Sequence, residues 1–409
     1  MVKNPRILMF APLCYPPAGS EAIVTSKLLL AMIDAGWEID VISQSDFGHF
    51  YPASKNGVWG PITGIINNIE ALPQKGFFKK IKSIKYLQSL IWTKKAVSNA
   101  KKLIKRKRYD FILSRATPLY GHLPALITAR QTGIPWIVNW SDPLPPVKAP
   151  TPYGLGPSAS VAFYLKKYCD FVTRSAVWHT FPCERLRKYM SLYLKDIQNK
   201  SSVIPHVALE RFLNSNQERK NEFSLCHIGS LANRDPYSFL KGVKQFYENT
   251  KINGPFNIRF IGPESARLQN VVKSLKLDDI VNIEKPKTYE ETQVEQAKAS
   301  VLVLIEAAFD EGIFFPSKFV DYIQTGRPIL TVSPKVGTLP EILSSYGGGI
   351  AVNCNSSDDV SYGIKSFYSE WKTGTLDEKY SSFKLFHLFS EQTVLNMYME
   401  IFARVTNKR

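Results

Sequence analysis

The chain has 409 residues, enough for two or three domains of ordinary size. A hydrophobic fraction of 44% and a charged fraction of 21% exclude wholesale disorder. Lys and Arg number 52 against 35 Asp and Glu, and the net charge of +17 directs attention to an anionic partner: nucleic acid, an acidic membrane surface or a phosphorylated ligand.

In chain order, the apolar run Arg6 to Phe10 predicts a strand, and Ala22 to Ala35 predicts a helix with Val24, Leu28, Leu29 and Met32 at helical spacing. Gly36 stands where a helix C-cap belongs, and Glu38 to Ser43 predicts a second strand. Strand, loop, helix and strand in this order make a βαβ unit. Phe111 to Leu113 predicts a strand, Leu119 to Thr132 a helix and Trp136 to Trp140 a strand. After a short strand at Ser202 to Pro205, the polar stretch Asn214 to Glu222 reads as an inter-domain linker. Predicted strands then follow at Ser224 to Ile228, Asn257 to Ile261, Val281 to Ile283, Val301 to Ile305 and Pro328 to Val332. Between them lie predicted helices at Pro236 to Asn249, Ala266 to Leu275, Tyr289 to Ala299 and Ser317 to Thr325. Val301 to Ile305 is wholly apolar, as a parallel strand buried on both faces requires. The expected fold class is therefore α/β, with two facing Rossmann-like doubly wound domains. The first spans 1–205 and is completed by 388–409; the second spans 206–387. The last helix, Ser390 to Thr406, either closes the second domain or crosses back to the first.

The five cysteines, at 14, 169, 183, 226 and 354, form no CxxC pair, which argues against a zinc or redox motif and for free thiols in a reducing compartment. Ile7 to Phe10 is too short for a signal-peptide core, and no apolar run is long enough to span a bilayer. A cytoplasmic protein, peripheral at the inner face of the cell membrane, is the expectation.

Four constellations can carry chemistry. The loop after the first strand ends in Ala18, Gly19 and Ser20, small residues that open a helix and suit a phosphate, or simply make a tight turn. Ser114-Arg115 with His122, and Asn139-Trp140-Ser141-Asp142, each follow a predicted strand, so Arg115, His122 and Asp142 should share one sheet edge. Singly, Asp142 could cap a turn and His122 could be a core histidine. Gly229-Ser230 follows the first strand of the second half, with Arg234 ahead of a helix; it matches a phosphate or pairs with Asp235. Finally, Asp310-Glu311-Gly312 leads to Pro316-Ser317-Lys318 and Asp321, where a helix start and a carboxylate can hold a phosphate beside a ribose, or form a capped surface helix.

Taken in order, these stretches resemble the retaining glycosyltransferases of the large group-one family, which have the GT-B fold. The matching parts are Ile7 to Glu21, Ser114 to Pro143, Val203-Ile204-Pro205-His206 with Arg211-Phe212, Ile228 to Leu231 with Arg234, and Pro316 to Pro328, which is similar to P-S-K-x-x-E-Y-x-x-x-G-x-P. The resemblance implies a nucleotide-diphosphate sugar as donor, no cofactor, no metal, and retention of configuration. It places the donor in the second domain, on Gly229, Ser230, Arg234, Pro316, Ser317, Lys318 and Asp321, with Gly19 and Ser20 contributing. It implies that Asp321 holds the ribose. The family's first acidic position, eight before, is Ile313 here, so that role shifts to Glu311 or is lost. Ser230 stands where the family has Arg, leaving Arg234 or Lys318 to neutralise the diphosphate. Asp142, His122 and Glu311 are the expected catalytic residues, and Arg115 lies on the acceptor side.

Leu72 to Arg108 carries thirteen Lys or Arg and no acid. Lys79, Lys80, Lys82 and Lys85 alternate there with Phe77, Ile81, Ile84, Leu87 and Ile91, the pattern of an amphipathic helix on anionic lipid or of a solvated helix packed on the first domain. A membrane surface and a lipid-linked or glycan acceptor follow as expected partners, in cell-surface polysaccharide or glycolipid synthesis. Alternatives are a GT-B-type nucleotide-sugar epimerase and, from another class, a basic nucleic-acid-binding α/β protein.

Overall fold

The computed structural model describes residues 4–16, 19–45, 57–71, 84–145, 148–154, 159–213 and 222–407. The chain divides into two compact units. The first comprises Met1–Ala149, Gly154–Val207 and Gln392–Arg409; the second comprises Pro150–Tyr153 and Ala208–Glu391.

The first unit is built on seven strands: β1 (Arg6–Phe10), β2 (Glu38–Gln44), β3 (Ile66–Ile69), β4 (Phe111–Ala116), β5 (Trp136–Trp140), β6 (Trp178–Phe181) and β7 (Ser201–Val203). Their order is β3-β2-β1-β4-β5-β6-β7, all parallel. β4 and β5 are buried at every residue, because helices cover both faces of a parallel sheet. The helix Ser20–Asp34 buries nearly every residue from Ala22 to Met32, and Gly36, at φ 78°, ends it in the left-handed conformation that Gly tolerates. The chain returns to this unit in the helix Glu391–Thr406, where Phe402 stacks on Phe111 at 4.3 Å and leans on Trp37 at 5.6 Å. The last helix thus completes the first unit.

The second unit has six strands: β8 (Phe223–Ile228), β9 (Phe256–Ile261), β10 (Val281–Glu284), β11 (Val301–Ile305), β12 (Ile329–Ser333) and β13 (Gly349–Asn353). Their order is β10-β9-β8-β11-β12-β13, again all parallel. The order reverses between β8 and β11, so the crevice beyond their carboxyl ends is the topological switch point where doubly wound sheets bind ligands. Val301, Val303 and Ile305 enter one core with Phe239, Phe246 and Phe367.

Strands β3, β6 and β13 were not anticipated. β3 (INNI) and β13 (GIAVN) lack a continuous apolar run, and both lie at sheet edges where one neighbour suffices. Most of the expected linker falls at 214–221, outside the described residues. The helix expected over Ser317 to Thr325 runs only Ser317–Ile323.

Candidate functional site

In the second unit, β8 ends in Gly229, whose φ of 104° only Gly adopts readily. Its N–H bonds to Ile261 O at 2.7 Å, and Gly262, after β9, lies so close that a Cβ there would come 2.6 Å from Gly229 O. This bare turn admits two cations. Lys318 Nζ donates to Ser230 O at 3.4 Å, and Arg234 Nη1 donates to the same oxygen at 3.3 Å. A side chain at Gly229 would meet the end of Lys318. Arg234 has no carboxylate partner among the described residues; the neighbouring Asp235 pairs with Arg267 instead at 2.5 Å. Part of Lys318 still meets solvent, yet the protein around its ammonium pushes its pKa down to about 7, helped by Arg234 and opposed by Asp321. Ser230, Arg234 and Lys318 are therefore brought together at the switch point.

Asp321 is 7% exposed, and its Oδ1 accepts the Tyr289 hydroxyl at 2.8 Å. Burial and the adjacent carboxylate raise the Tyr289 phenol well above its ordinary value, so it stays a donor. Gln324 steadies this pair, donating to Tyr289 Oη at 3.5 Å and accepting from Leu209 N–H at 2.9 Å. Pro316 and Ser317 open the short helix, with no side-chain cap. Glu311 is exposed on the loop after β11, whereas Glu306, the first residue after that strand, is buried. Glu306, His227 and Tyr289 belong to this site's surroundings but were missed. An acid placed directly after a fully apolar parallel strand was the available signal for Glu306. Glu284, the last residue of β10, and Lys287 join Arg259 and Glu295 in an ion-pair network, with Arg259 Nε to Glu284 at 2.7 Å and Lys287 to Glu295 at 3.0 Å.

In the first unit, Arg115 is buried and donates through Nε to Glu21 Oε1 at 3.1 Å and to Thr25 Oγ1 at 2.9 Å. Burial raises Glu21 to about 7 against the pull of Arg115, with Asp142 pushing the same way as burial. Asp142, half-buried, accepts Thr117 Oγ1 at 3.0 Å. The ends of β4 and β5 thus hold Arg115 and Asp142 around Glu21, a carboxylate not singled out from the sequence. Gly19 precedes the helix Ser20–Asp34 in extended backbone and Ser20 is exposed, both in this unit.

His122, expected to be catalytic, lies in the core. It is wholly buried; its Nδ1 lies 2.9 Å from Ser114 Oγ, which also takes the Trp136 indole N–H at 2.7 Å, and Trp140 meets its ring edge-on at 4.8 Å. Burial lowers its pKa to about 3, so it is a neutral side chain in the core, with Nε2 buried and without a hydrogen-bond partner.

The basic belt is described in part. Lys79, Lys80 and Lys82 lie outside the described residues, as do Phe77 and Ile81; Lys85 falls in the first turn of the helix Ile84–Arg106. Trp92, Ala96 and Ala100 of that helix are fully buried, and the Trp92 indole N–H bonds to Ser43 O at 3.3 Å. Leu87 and Leu90 are 51% and 59% exposed. Leu90, Val97, Leu123 and Ile127 line a groove against the helix His122–Thr132, with Lys94 and Lys101 beside them. No helix among the described residues is long and apolar enough to cross a membrane, and none of their His, Cys, Asp or Glu side chains form a group of three placed to hold a metal ion. The five cysteines are buried, and none forms a disulfide.

No protein-family model and no curated protein sequence matches the chain. Solved structures do. Sucrose-phosphate synthase from Thermosynechococcus elongatus is 13% identical with a TM-score of 0.70, over 99% of this chain and 100% of that one. HepE of Anabaena, in complex with UDP and glucose, is 13% identical with a TM-score of 0.69, over 98% and 100%. A glycosyltransferase from Rickettsia africae is 12% identical with a TM-score of 0.68, over the whole of both chains. The fold is GT-B. At such identity the likeness reaches the architecture alone; UDP-GlcNAc 2-epimerase from Methanocaldococcus jannaschii also matches, with a TM-score of 0.53 over 88% of this chain.

Proposed function

We propose that this GT-B chain is a glycosyltransferase that moves a sugar from a nucleoside-diphosphate sugar to a lipid-linked or glycan acceptor, with retention and without a metal ion. The observation that carries the reading is the convergence of Arg234 and Lys318 on Ser230 O at the switch point of the second unit. Negative charge grows on the leaving diphosphate during transfer, and two fixed cations stabilise it without reorganising. They supply the neutralisation that a divalent ion gives elsewhere. Asp321, held by Tyr289, is the candidate partner for the ribose hydroxyls. Retention and the absence of a metal follow the family resemblance.

Arg115, Glu21 and Asp142 at the ends of β4 and β5 are the candidate acceptor side, with Asp142 the group for an acceptor hydroxyl. The groove beside Leu90 and Ile127, flanked by Lys94 and Lys101, and the exposed Leu87 support contact with a lipid-linked acceptor on an anionic surface. Such contact suits an enzyme working at the cytoplasmic face of the cell membrane in polysaccharide or glycolipid synthesis.

Calorimetric titration with UDP and GDP tests the donor site: one of them should bind, and Lys318→Met should weaken it. NMR of the product should show the donor's own anomeric configuration. The epimerase reading, favoured by the match to UDP-GlcNAc 2-epimerase, predicts UDP release with an inverted sugar carbon and no acceptor. Steep salt-dependent binding of single-stranded nucleic acid, with no nucleotide effect, would overturn both readings.

A further inference from the structure

Glu306 is the first residue beyond β11, at the switch point. Its N–H bonds to Val332 O at 2.9 Å, which continues the β11–β12 ladder by one residue. Alternation along that ladder turns Glu306 away from Val301, Val303 and Ile305 and their core, toward the other sheet face. The paired register of Leu304 with Thr331 brings Thr331 and Ser333 to the same face. The carboxyl is 5% exposed, and its Oε2 is buried without a hydrogen-bond partner. The hydroxyls of Thr331 and Ser333 are likewise buried and unpartnered. Gly312 lies beside Oε2: a Cβ there would sit 3.7 Å from it, in ordinary contact.

The charged or titratable groups that act on Glu306 are Arg234, from the loop after β8, and Cys354, just after β13. Neither donates a hydrogen bond to it among the described residues. Burial raises the carboxyl to about 8 despite the pull of Arg234, so at neutral pH it carries its proton. A buried O–H with no acceptor is a cost that a ligand oxygen removes. An ionised carboxylate in the same place would repel a diphosphate.

We propose that Glu306 binds the donor as a neutral carboxylic acid, giving its O–H to an oxygen of the nucleoside-diphosphate sugar. The inference rests on the reading of the second unit as the donor site. Raising the pH through this group should weaken binding of an anion, through repulsion and loss of the donor. Between pH 6.5 and pH 9, a group titrating near 8 goes from almost wholly neutral to about one-tenth neutral, so affinity should fall about tenfold through this group alone.

The test is calorimetric titration of UDP and UDP-glucose at pH 6.5 and pH 9 with wild type and Glu306→Gln, which keeps an uncharged donor. The ratio of the two proteins' dissociation constants isolates Glu306, because the titration of Lys318 is common to both. The ratio should change about tenfold between the two pH values. A change seen with both ligands assigns the bond to the diphosphate; one seen with UDP-glucose alone assigns it to the sugar. If Glu306→Gln does not fold, Lys318→Met, which lacks the lysine's titration, should retain the tenfold fall on its own. A ratio that stays constant, or a Lys318→Met protein whose affinity is flat with pH, overturns the inference and leaves the donor-site reading standing. Failure of the wild type to bind either UDP or UDP-glucose at pH 6.5 overturns this inference, and failure with GDP as well overturns the donor-site reading too.

Discussion

Lys318 should take up a proton when a nucleoside diphosphate binds. Its pKa is about 7 in the free protein, so at pH 7 about half the molecules carry a neutral amine. A diphosphate beside Ser230 favours the cation and raises that pKa. Binding of UDP-glucose, whose diphosphate does not titrate in this range, should therefore consume about half a proton at pH 7 and almost none at pH 5.5, where the lysine is already charged. Hydrogen bonds to charged groups contribute about 1.5–3 kcal/mol, so Lys318→Met should weaken UDP about ten- to a hundredfold. The same substitution should stabilise the fold. With a folded pKa below the unfolded value of 10.5, the native state binds fewer protons than the unfolded one between pH 7 and 10.5, so stability rises with pH in that window. Methionine removes the penalty of burying the cation at low pH, a gain on the order of 1–2 kcal/mol after discounting for the lysine's remaining solvent contact. The assay is titration calorimetry in phosphate and in Tris, whose ionisation enthalpies differ, with thermal melts from pH 6 to 10. Proton uptake below about a tenth at pH 7, or a Lys318→Met protein that binds UDP like wild type, would refute the reasoning.

Other expectations follow from the same structure. Burial raises Glu295, but its bonds to Arg259 and Lys287 outweigh it and bring the pKa to about 2, so its contribution is complete above the unfolded value of 4.5 and lost as pH falls toward 2; Arg259→Met should flatten that part of the acid-denaturation curve and cost about 1–3 kcal/mol at pH 7. His122 is neutral in the fold down to about pH 3, so folding excludes a proton that the unfolded chain binds below about pH 6.5; His122→Phe should leave kcat within about twofold and reduce the loss of melting temperature on going from pH 7 to pH 5. Gly326 has a φ of 69° and an added Cβ would strike the Phe383 ring, so Gly326→Ala should cost about 2 kcal/mol in urea denaturation, and an unchanged midpoint would contradict that placement.

What the sequence determined by itself was local and periodic. β1, β5 and β11 are short apolar runs, the helix Ala266–Leu275 has helical spacing, and Gly36 stands at a left-handed helix end; each needs only its own neighbours in the chain. Two parallel α/β halves followed from their alternation, and the order of the short motifs suggested GT-B. Which residues lie at strand ends or helix starts was legible, as for Arg115, Asp142, Arg234 and Lys318. Tertiary structure decided protonation and burial, because both depend on residues distant in sequence. His122 lies one helical turn past β4, like a catalytic residue, but packing against Trp136 and Trp140 makes it core. Glu306 and Glu311 are five residues apart, yet one is buried at the switch point and the other is exposed. Trp92 belonged to the basic belt by sequence, and its bond to Ser43 O anchors that helix to the sheet. Charge count raised the expectation of an anionic partner; only the packing of β8 against β11 showed where two cations and a buried acid are gathered.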